Sequence, residues 1–407
     1  MSSQPTWIIG AAMTPFGRHS GRDLIDLGAG AALDALADAG LTIGDIQVFA
    51  VGNAYESNGM VAQRIQKQIG QTGIETYNVF NACATGATAV RVAHLAIQAG
   101  EADVALVVGV EKMGKMGMLG AAGKARADRK VFTPGGRFGA VMGTEGRLGT
   151  GLMPGVFAQA GMDYARQHGI TFRQFAKVAE KNHFHSSLNP LAQYRDVYEL
   201  DAIMNAEMIA YPNSVLMCCP TGDGAAALVI VSDEKRRSLS ADVRDRSVKI
   251  SASVLTTDPY TPSGHAQPDI NTLTRRAADK AYELAGVGPQ ELDLVELHDC
   301  FATAEMVHYD NLRLCEPGGA GDFIDSGAPR RDGRLPVNVS GGLISKGHPI
   351  GATGVAGLYE VATHLRGEAG DRQIDGARVG LAHVIGLGSA CGVHILEKAA
   401  VPEKAAV

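Results

Sequence analysis

Apolar positions in this chain fall into two alternating patterns. Short, nearly continuous apolar runs occur at Thr6–Gly10, Ile46–Gly52, Val104–Gly109, Gly224–Val231, Leu292–Leu297 and Val379–Gly386. Runs of that length and density predict strands buried on both faces. Between them lie longer Ala- and Leu-rich stretches. Leu24–Ala39 is stopped by Gly40, Ala87–Ala99 by Gly100, and Thr272–Leu284 near Gly286, while Val355–Leu365 runs on from a glycine-rich turn. These predict helices. Strands alternating with helices give an α/β protein.

The pattern also repeats. Ala39-Gly40-Leu41-Thr42-Ile43-Gly44-Asp45-Ile46 aligns without a gap to Ala285-Gly286-Val287-Gly288-Pro289-Gln290-Glu291-Leu292. Gly86-Ala87-Thr88-Ala89-Val90 aligns to Gly351-Ala352-Thr353-Gly354-Val355. A duplicated α/β unit accounts for both matches in the same order; chance similarity in an Ala/Gly-rich chain is the alternative. The expected organisation is a first half over 1–114, an inserted loop region over 115–213, and a closing strand of the first half over 214–235. A charged linker over 236–247 and a second half over 248–401 complete it.

Composition narrows the function. The 407 residues exceed one ordinary core, and 45% hydrophobic with 20% charged residues is the profile of a globular protein. A net charge of −6 gives no electrostatic footprint for nucleic acid. No apolar run reaches the ~18–20 residues of a membrane span. The N-terminal residues lack a secretory pattern, and the six cysteines do not form a disulfide scaffold, so a reducing cytoplasm is the expected location. Cys-x-x-Cys is absent, His183-Phe184-His185 reads as structural, and neither a Walker A motif nor a dinucleotide glycine fingerprint occurs. Neither a metal nor a nucleotide redox cofactor is expected.

The candidate chemistry sits in three places. Cys83, in Asn81-Ala82-Cys83-Ala84-Thr85-Gly86, follows a strand-like segment and precedes a helix. A helix N-terminus favours a thiolate, which points to a nucleophile, although a small buried cysteine is the ordinary alternative. His348, in Gly347-His348-Pro349-Ile350-Gly351, lies in a glycine-flanked turn and supplies a base for that thiol. His298-Asp299-Cys300-Phe301 ends a predicted strand, so Cys300 can move a proton and His298 can orient a water; a buried strand-end cysteine is the alternative. Gly386-Leu387-Gly388 offers bare N–H groups to an oxyanion. Cys391 reads as core.

These segments together resemble the thiolases, and more narrowly the sterol-carrier-protein-2 type. The similarity covers almost the whole chain. It rests on Asn81-Ala82-Cys83, on Gly347 to Gly354, and on His298-Asp299-Cys300-Phe301, which replaces the Asn-Glu-Ala-Phe of other thiolases. Lys181-Asn182-His183 and Cys218-Cys219-Pro220-Thr221 also match. The resemblance implies two halves, each with a five-stranded sheet, in αβαβα layers. It implies 3-oxoacyl-CoA cleavage by coenzyme A, or the reverse condensation, through a Cys83 acyl-enzyme. His348 would be the base, Cys300 the acid/base for the enolate, and His298 the holder of a water at the enolate oxygen. The N–H groups of Cys83 and Gly386 would form the oxyanion hole. It also implies a homodimer or homotetramer. Many thiolases carry a Cys-x-Gly-x-Gly motif where this chain has Val384-Ile385-Gly386-Leu387-Gly388, so Cys300 takes that role. The chain ends soon after its last predicted strand, and no fused sterol-carrier domain is expected. A C-acyltransferase or aldolase working with a partner of OB fold and zinc ribbon, and a non-catalytic lipid-binding protein, remain open. Lys124, Arg126, Arg129, Lys130 and Arg137 are candidates for coenzyme A phosphates or for a solvated surface.

Overall fold

The computed structural model describes residues 4–114, 152–259 and 270–399. Eleven strands are present among them: β1 (Thr6–Met13), β2 (Val48–Gly52), β3 (Glu75–Val79), β4 (Val104–Lys112), β5 (Met208–Ala210), β6 (Asn213–Ser214), β7 (Asp223–Ser232), β8 (Val248–Thr256), β9 (Leu294–Glu296), β10 (Val379–Gly386) and β11 (Ala390–Lys398). The longer helices are α1 (Leu24–Ala39), α2 (Val61–Ile69), α3 (Thr85–Gln98), α4 (Leu152–His168), α5 (Phe172–Ser187), α6 (Ile270–Ala285), α7 (Ala302–Asn311) and α8 (Ile350–Arg366).

Nine strands form one sheet in the order β3-β2-β4-β7-β1-β8-β11-β10-β9. The first five belong to the first half and the last four to the second. The halves join where β1 pairs antiparallel with β8 over Thr6–Ile8. The second half differs from the expected five strands: its fifth is reduced to a parallel bridge between Val295 and Val337. Hydrogen bonds from Val295 N to Pro336 O and from Asn338 N to Val295 O flank that bridge. Chain beyond Val337 turns away to build the segment that carries His348.

The duplication is visible in backbone detail. Gly40 and Gly286 both end helices in the left-handed region, at φ 67° and 70°. Each is followed by a short 3₁₀ turn whose acidic third residue accepts from the backbone before it: Asp45 from Thr42 N at 2.8 Å, and Glu291 from Gly288 N at 2.7 Å. Helices α3 and α8 occupy equivalent places, lie side by side between the two sheet halves, and share one core. Helices α1 and α2 cover the outer face of the first half, and α6 and α7 that of the second. The layers are therefore αβαβα, as expected.

Two further segments complete the chain. Residues 233–246 form two short helices. They are tied to both halves through Asp38, which bonds Arg246 and Arg366 at 2.8 Å each. Within the inserted region, α4 and α5 pack on α7 and on the second half's core. Lys124, Arg126, Arg129, Lys130 and Arg137 lie outside the described residues.

The two central helices meet backbone against backbone. A Cβ placed on Gly86 would lie 2.8 Å from Gly351 O and 2.9 Å from Val355 N. A Cβ on Gly351 would lie 2.5 Å from Val110 O. No side chain can yield there, so Gly86→Ala must push α3 and α8 apart. The expected cost is about 1–3 kcal/mol, the range for overpacking, measured as a lowered midpoint in urea against a Gly21→Ala control, at an open site without a left-handed backbone.

Candidate active site

Cys83 is held by a strained turn. Strand β3 ends at Val79, and Ala82 sits at φ 47°, a left-handed conformation uncommon for a non-glycine residue. The turn is held by its own polar groups. Asn81 N donates to Thr85 Oγ1 at 2.8 Å, and the Thr85 hydroxyl donates to Ala82 O. Helix α3 begins immediately after. Cys83 is only 3% exposed and sits in an apolar nest of Ala84, Ala87, Met113, Ile350, Val384 and Ala390, with Tyr55 at its edge.

The expectation of a helix-stabilised thiolate is not met. Burial pushes the Cys83 thiol up to about 12, and the Glu111 carboxylate pushes the same way. The backbone N–H groups of Leu387 and of Cys83 itself act in the opposite direction and are outweighed. Desolvation of a charge in an apolar pocket exceeds what two N–H dipoles return. The free site therefore holds a thiol, which needs a base.

His348 is placed to be that base. It is 1% exposed and lies two residues before α8. The Thr353 hydroxyl donates to Pro349 O at 2.9 Å, so at 2.7 Å it accepts from His348 Nδ1–H. That fixes the proton on Nδ1 and leaves the Nε2 lone pair free, and Nε2 is buried without a hydrogen-bond partner. Burial pushes the imidazole down to about 3.

The structure brings three of the predicted residues to one point. The Cys83 sulfur and one ring nitrogen each of His298 and His348 lie within 4.8 Å of one another. The two rings meet edge-on at 5.2 Å. His298 Nδ1 is also buried without a partner. Burial holds the His298 imidazole well below its ordinary range, and His348, His383 and His308 add to that. Cys300 is 1% exposed. Burial raises its thiol well above the ordinary value, with Cys219 and Cys83 as the next contributors, so it too rests protonated close to Cys83. Gly386 ends β10 against the cysteine turn, where a Cβ would lie 2.6 Å from Asn81 O. The Leu387 N–H, next to Gly386, bonds the Cys83 sulfur.

Residues to which the sequence assigned no role of their own hold these groups in position. Asp299 Oδ1 accepts from Leu343 N at 2.6 Å and Oδ2 from Ile344 N at 3.3 Å, clamping the wide turn Gly342–Lys346. A Cβ on Gly342 would lie 2.1 Å from that carboxylate, and one on Gly341 would lie 2.4 Å from Ser186 Cβ, which explains the paired glycines. Glu296 accepts from Ser340 N at 3.0 Å and lies 3.8 Å from Lys346 Nζ. Beneath them Lys181 pairs with Glu305 at 2.9 Å, both fully buried. Asn182 bridges Asp299 and Glu305, and Asn338 bonds Glu305 and Leu297 N. Glu111 joins the halves, accepting from Ala54, Tyr55 and Asn53 on one side and from Gly351 N on the other.

Elsewhere the candidates are structural. His183 bonds Leu216 O and Ser345 Oγ, and His185 bonds Asn338 O and Arg331 N. Cys219 N donates to Cys300 O, so Cys218-Cys219 backs the His298–Cys300 loop. Cys391 lies in the core beneath α6, as expected.

Two outcomes follow from this geometry. Alkylation of Cys83 by iodoacetamide should rise about tenfold per pH unit from roughly pH 7 to 10, with no plateau near the ordinary thiol value of ~8.5. Mass-resolved labelling rates check this, and a plateau near neutrality would contradict the neutral pair. Lys181→Met strands Glu305 in the interior and should lower stability by about 3–5 kcal/mol, read from denaturant unfolding. Adding Glu305→Gln should recover part of the loss.

Comparisons with known proteins agree with this architecture. Residues 6–198 match the thiolase N-terminal domain, and residues 260–398 the thiolase C-terminal domain-like family. Sterol carrier protein 2 of Rattus norvegicus is 37% identical over 98% of this chain and 73% of its own length. Acetyl-CoA acetyltransferase of Methanothermobacter thermautotrophicus is 33% identical over 96% of this chain and 99% of its own. Among solved structures, an Ltp2-ChsH2(DUF35) aldolase superposes with a TM-score of 0.77 at 23% identity, covering 97% of this chain and 98% of the other. Human mitochondrial 3-ketoacyl-CoA thiolase in complex with CoA superposes at 0.69 and 17% identity, covering 98% of each chain. With both halves matched and relatives aligned along nearly its full length, this chain belongs to the thiolase family.

Proposed function

We propose that the protein is a 3-oxoacyl-CoA thiolase of the sterol-carrier-protein-2 type, acting with coenzyme A as co-substrate through a Cys83 acyl-enzyme. The observation that carries this reading is the convergence of a buried thiol with a histidine whose Nδ1 is held by Thr353 and whose Nε2 is buried without a partner.

The residues divide the chemistry as follows. His348 Nε2 takes the Cys83 proton as the sulfur attacks the 3-keto carbon. Main-chain N–H groups of Cys83 and of the Gly386-Leu387 segment stabilise the oxyanion. The carbon–carbon bond breaks, and its electron pair leaves on the α-carbon of acetyl-CoA or propionyl-CoA as an enolate. His348 and a water on His298 face the enolate oxygen. The Cys300 thiol protonates the carbon. The resulting Cys300 thiolate takes the proton of incoming coenzyme A, whose sulfur displaces the acyl group from Cys83. Cys83 regains its proton from the His348 imidazolium, and each group returns to its starting state. Moving through a covalent intermediate replaces one hard step with two easier ones. Neutral starting forms suit this cycle, because no charge is buried until substrate supplies its partner.

The reading includes a homodimer, alone or paired into a tetramer. Strand β3 is a sheet edge, and Tyr77 and Phe80 stand exposed on and beside it, six and three residues before Cys83. An open edge of this kind favours pairing with a second copy.

Cleavage of a panel of 3-oxoacyl-CoA thioesters, from acetoacetyl to steroidal, tests the proposal. Turnover should require coenzyme A, and Cys83→Ala should lower kcat/KM at least about a thousandfold. His348→Asn should cost roughly 10²–10⁴-fold, as loss of a general base does. No turnover by folded protein on any member would overturn the simple reading. It would favour a partner-dependent reaction, as the aldolase complex suggests.

A further inference from the structure

Cys83, His298 and His348 offer one sulfur and two imidazoles around a single point, and acyl transfer is not the only chemistry that such a set supports. We propose that this point captures one borderline-soft divalent cation, such as zinc, cadmium or cobalt(II), as an inhibitory ligand. Cys83 Sγ and a ring nitrogen from each histidine would be three of its ligands, with a fourth position open. The cation is a competitor for the site and not a resident cofactor.

Ligand type comes first. One thiolate with two imidazoles selects zinc-like ions over magnesium or calcium, which prefer oxygen. Distance comes next. The three ligand atoms lie within 4.8 Å of one another. A tetrahedral zinc with Zn–S ≈ 2.3 Å and Zn–N ≈ 2.0–2.1 Å needs them roughly 3.3–3.6 Å apart. Capture therefore requires the three ligand atoms to draw together by up to about 1.5 Å.

Unmet bonding capacity supports the same conclusion. His348 Nε2 and His298 Nδ1 are fully buried and have no hydrogen-bond partner. Thr353 already holds the other nitrogen of His348, so that ring is oriented as metal-bound histidines are by their outer partners. Among the described residues no other His, Cys and carboxylate ligand atoms gather as a group of three; His308 and His383, whose Nε2 atoms are also buried without a partner, meet only as a pair with rings 4.6 Å apart. The ring nitrogens of His183 and His185 are occupied, and Cys218 Sγ donates to Ser214 O.

The exchange is simple to balance. The cation replaces the Cys83 thiol proton, which leaves to solvent, and no redox step occurs. Bound metal holds the sulfur electrons and the His348 lone pair that attack would use. An acylated Cys83 is no longer a thiolate ligand, so acylation and metal capture exclude each other.

Spectroscopy of the full-length protein tests this without relying on turnover. Titration with Co²⁺ in chelator-treated buffer should give one equivalent of a sulfur-to-cobalt charge-transfer band in the near ultraviolet, with four-coordinate bands in the visible. One proton should be released per metal, and Zn²⁺ should bleach both features. Cys83→Ser should abolish the charge-transfer band. His298→Asn and His348→Asn should each weaken binding roughly 10–100-fold, while Cys218→Ser leaves it unchanged. Wild-type protein alkylated at Cys83 should give no band, which guards against a variant that fails to fold. A band that survives loss or alkylation of Cys83 would overturn the proposal. So would a band that both histidine variants leave unchanged, or absence of any cobalt binding. Failure of the acyl-CoA panel would leave the cobalt result standing, so the two readings fail separately.

Discussion

The molecule depends on one contact: the N-terminal turns of the two central helices meet backbone to backbone. Gly86 faces Gly351 and Val355, Gly109 faces Gly351, and Gly354 faces Ala87, with hypothetical Cβ distances of 2.3–2.9 Å. Cys83 lies three residues before Gly86, and His348 three residues before Gly351. Packing the two turns this tightly therefore fixes the distance between sulfur and imidazole. Glu111 locks the arrangement by accepting from the first half's Asn53–Tyr55 turn and from Gly351 N of the second.

Duplication gives each half the same orienting device. Thr88 and Thr353 occupy matching positions in the repeat. Each hydroxyl donates to the carbonyl four residues back, Ala84 O or Pro349 O, at 2.9 Å. Each accepts from a polar side chain just upstream, Asn81 Nδ2 or His348 Nδ1. The one holds the cysteine turn and the other sets the tautomer of His348. A helix-start threonine is thus used twice, once for shape and once for chemistry.

Dryness governs the electrostatics. Burial raises the thiols of Cys83 and Cys300 and lowers the imidazoles of His298 and His348, so all four rest uncharged. The charges are kept one layer out, in the Lys181–Glu305 pair and in the Lys346, Glu296, Glu360 and Arg372 cluster. There they are compensated by opposite charges and main-chain donors, and they fix the loops that carry the reactive groups. The same neutrality leaves ring nitrogens of His298 and His348 without a partner, the feature on which both proposals rest.

The sequence by itself determined the α/β alternation, the duplication and the central pair of helices, and it pointed to Cys83, His298 and His348, which the fold brings together. Apolar periodicity and small-residue motifs are local properties, and they are printed in the chain. Strand β10 over Val379–Gly386 and helix α1 over Leu24–Ala39 were legible to the residue. Helix α8 begins at Ile350, well before the predicted Val355, because the glycines that read as a turn are there to let two helices touch. Only tertiary structure decided the protonation of Cys83, since burial is a sum over distant segments and outweighed the local helix terminus. Only tertiary structure reduced the second half's fifth strand to a bridge, and only it assigned Asp299, Glu305, Lys181 and Asn338 their scaffolding role. Those four act through partners up to 156 residues away, as from Lys181 to Val337, and no local pattern encodes such a pairing.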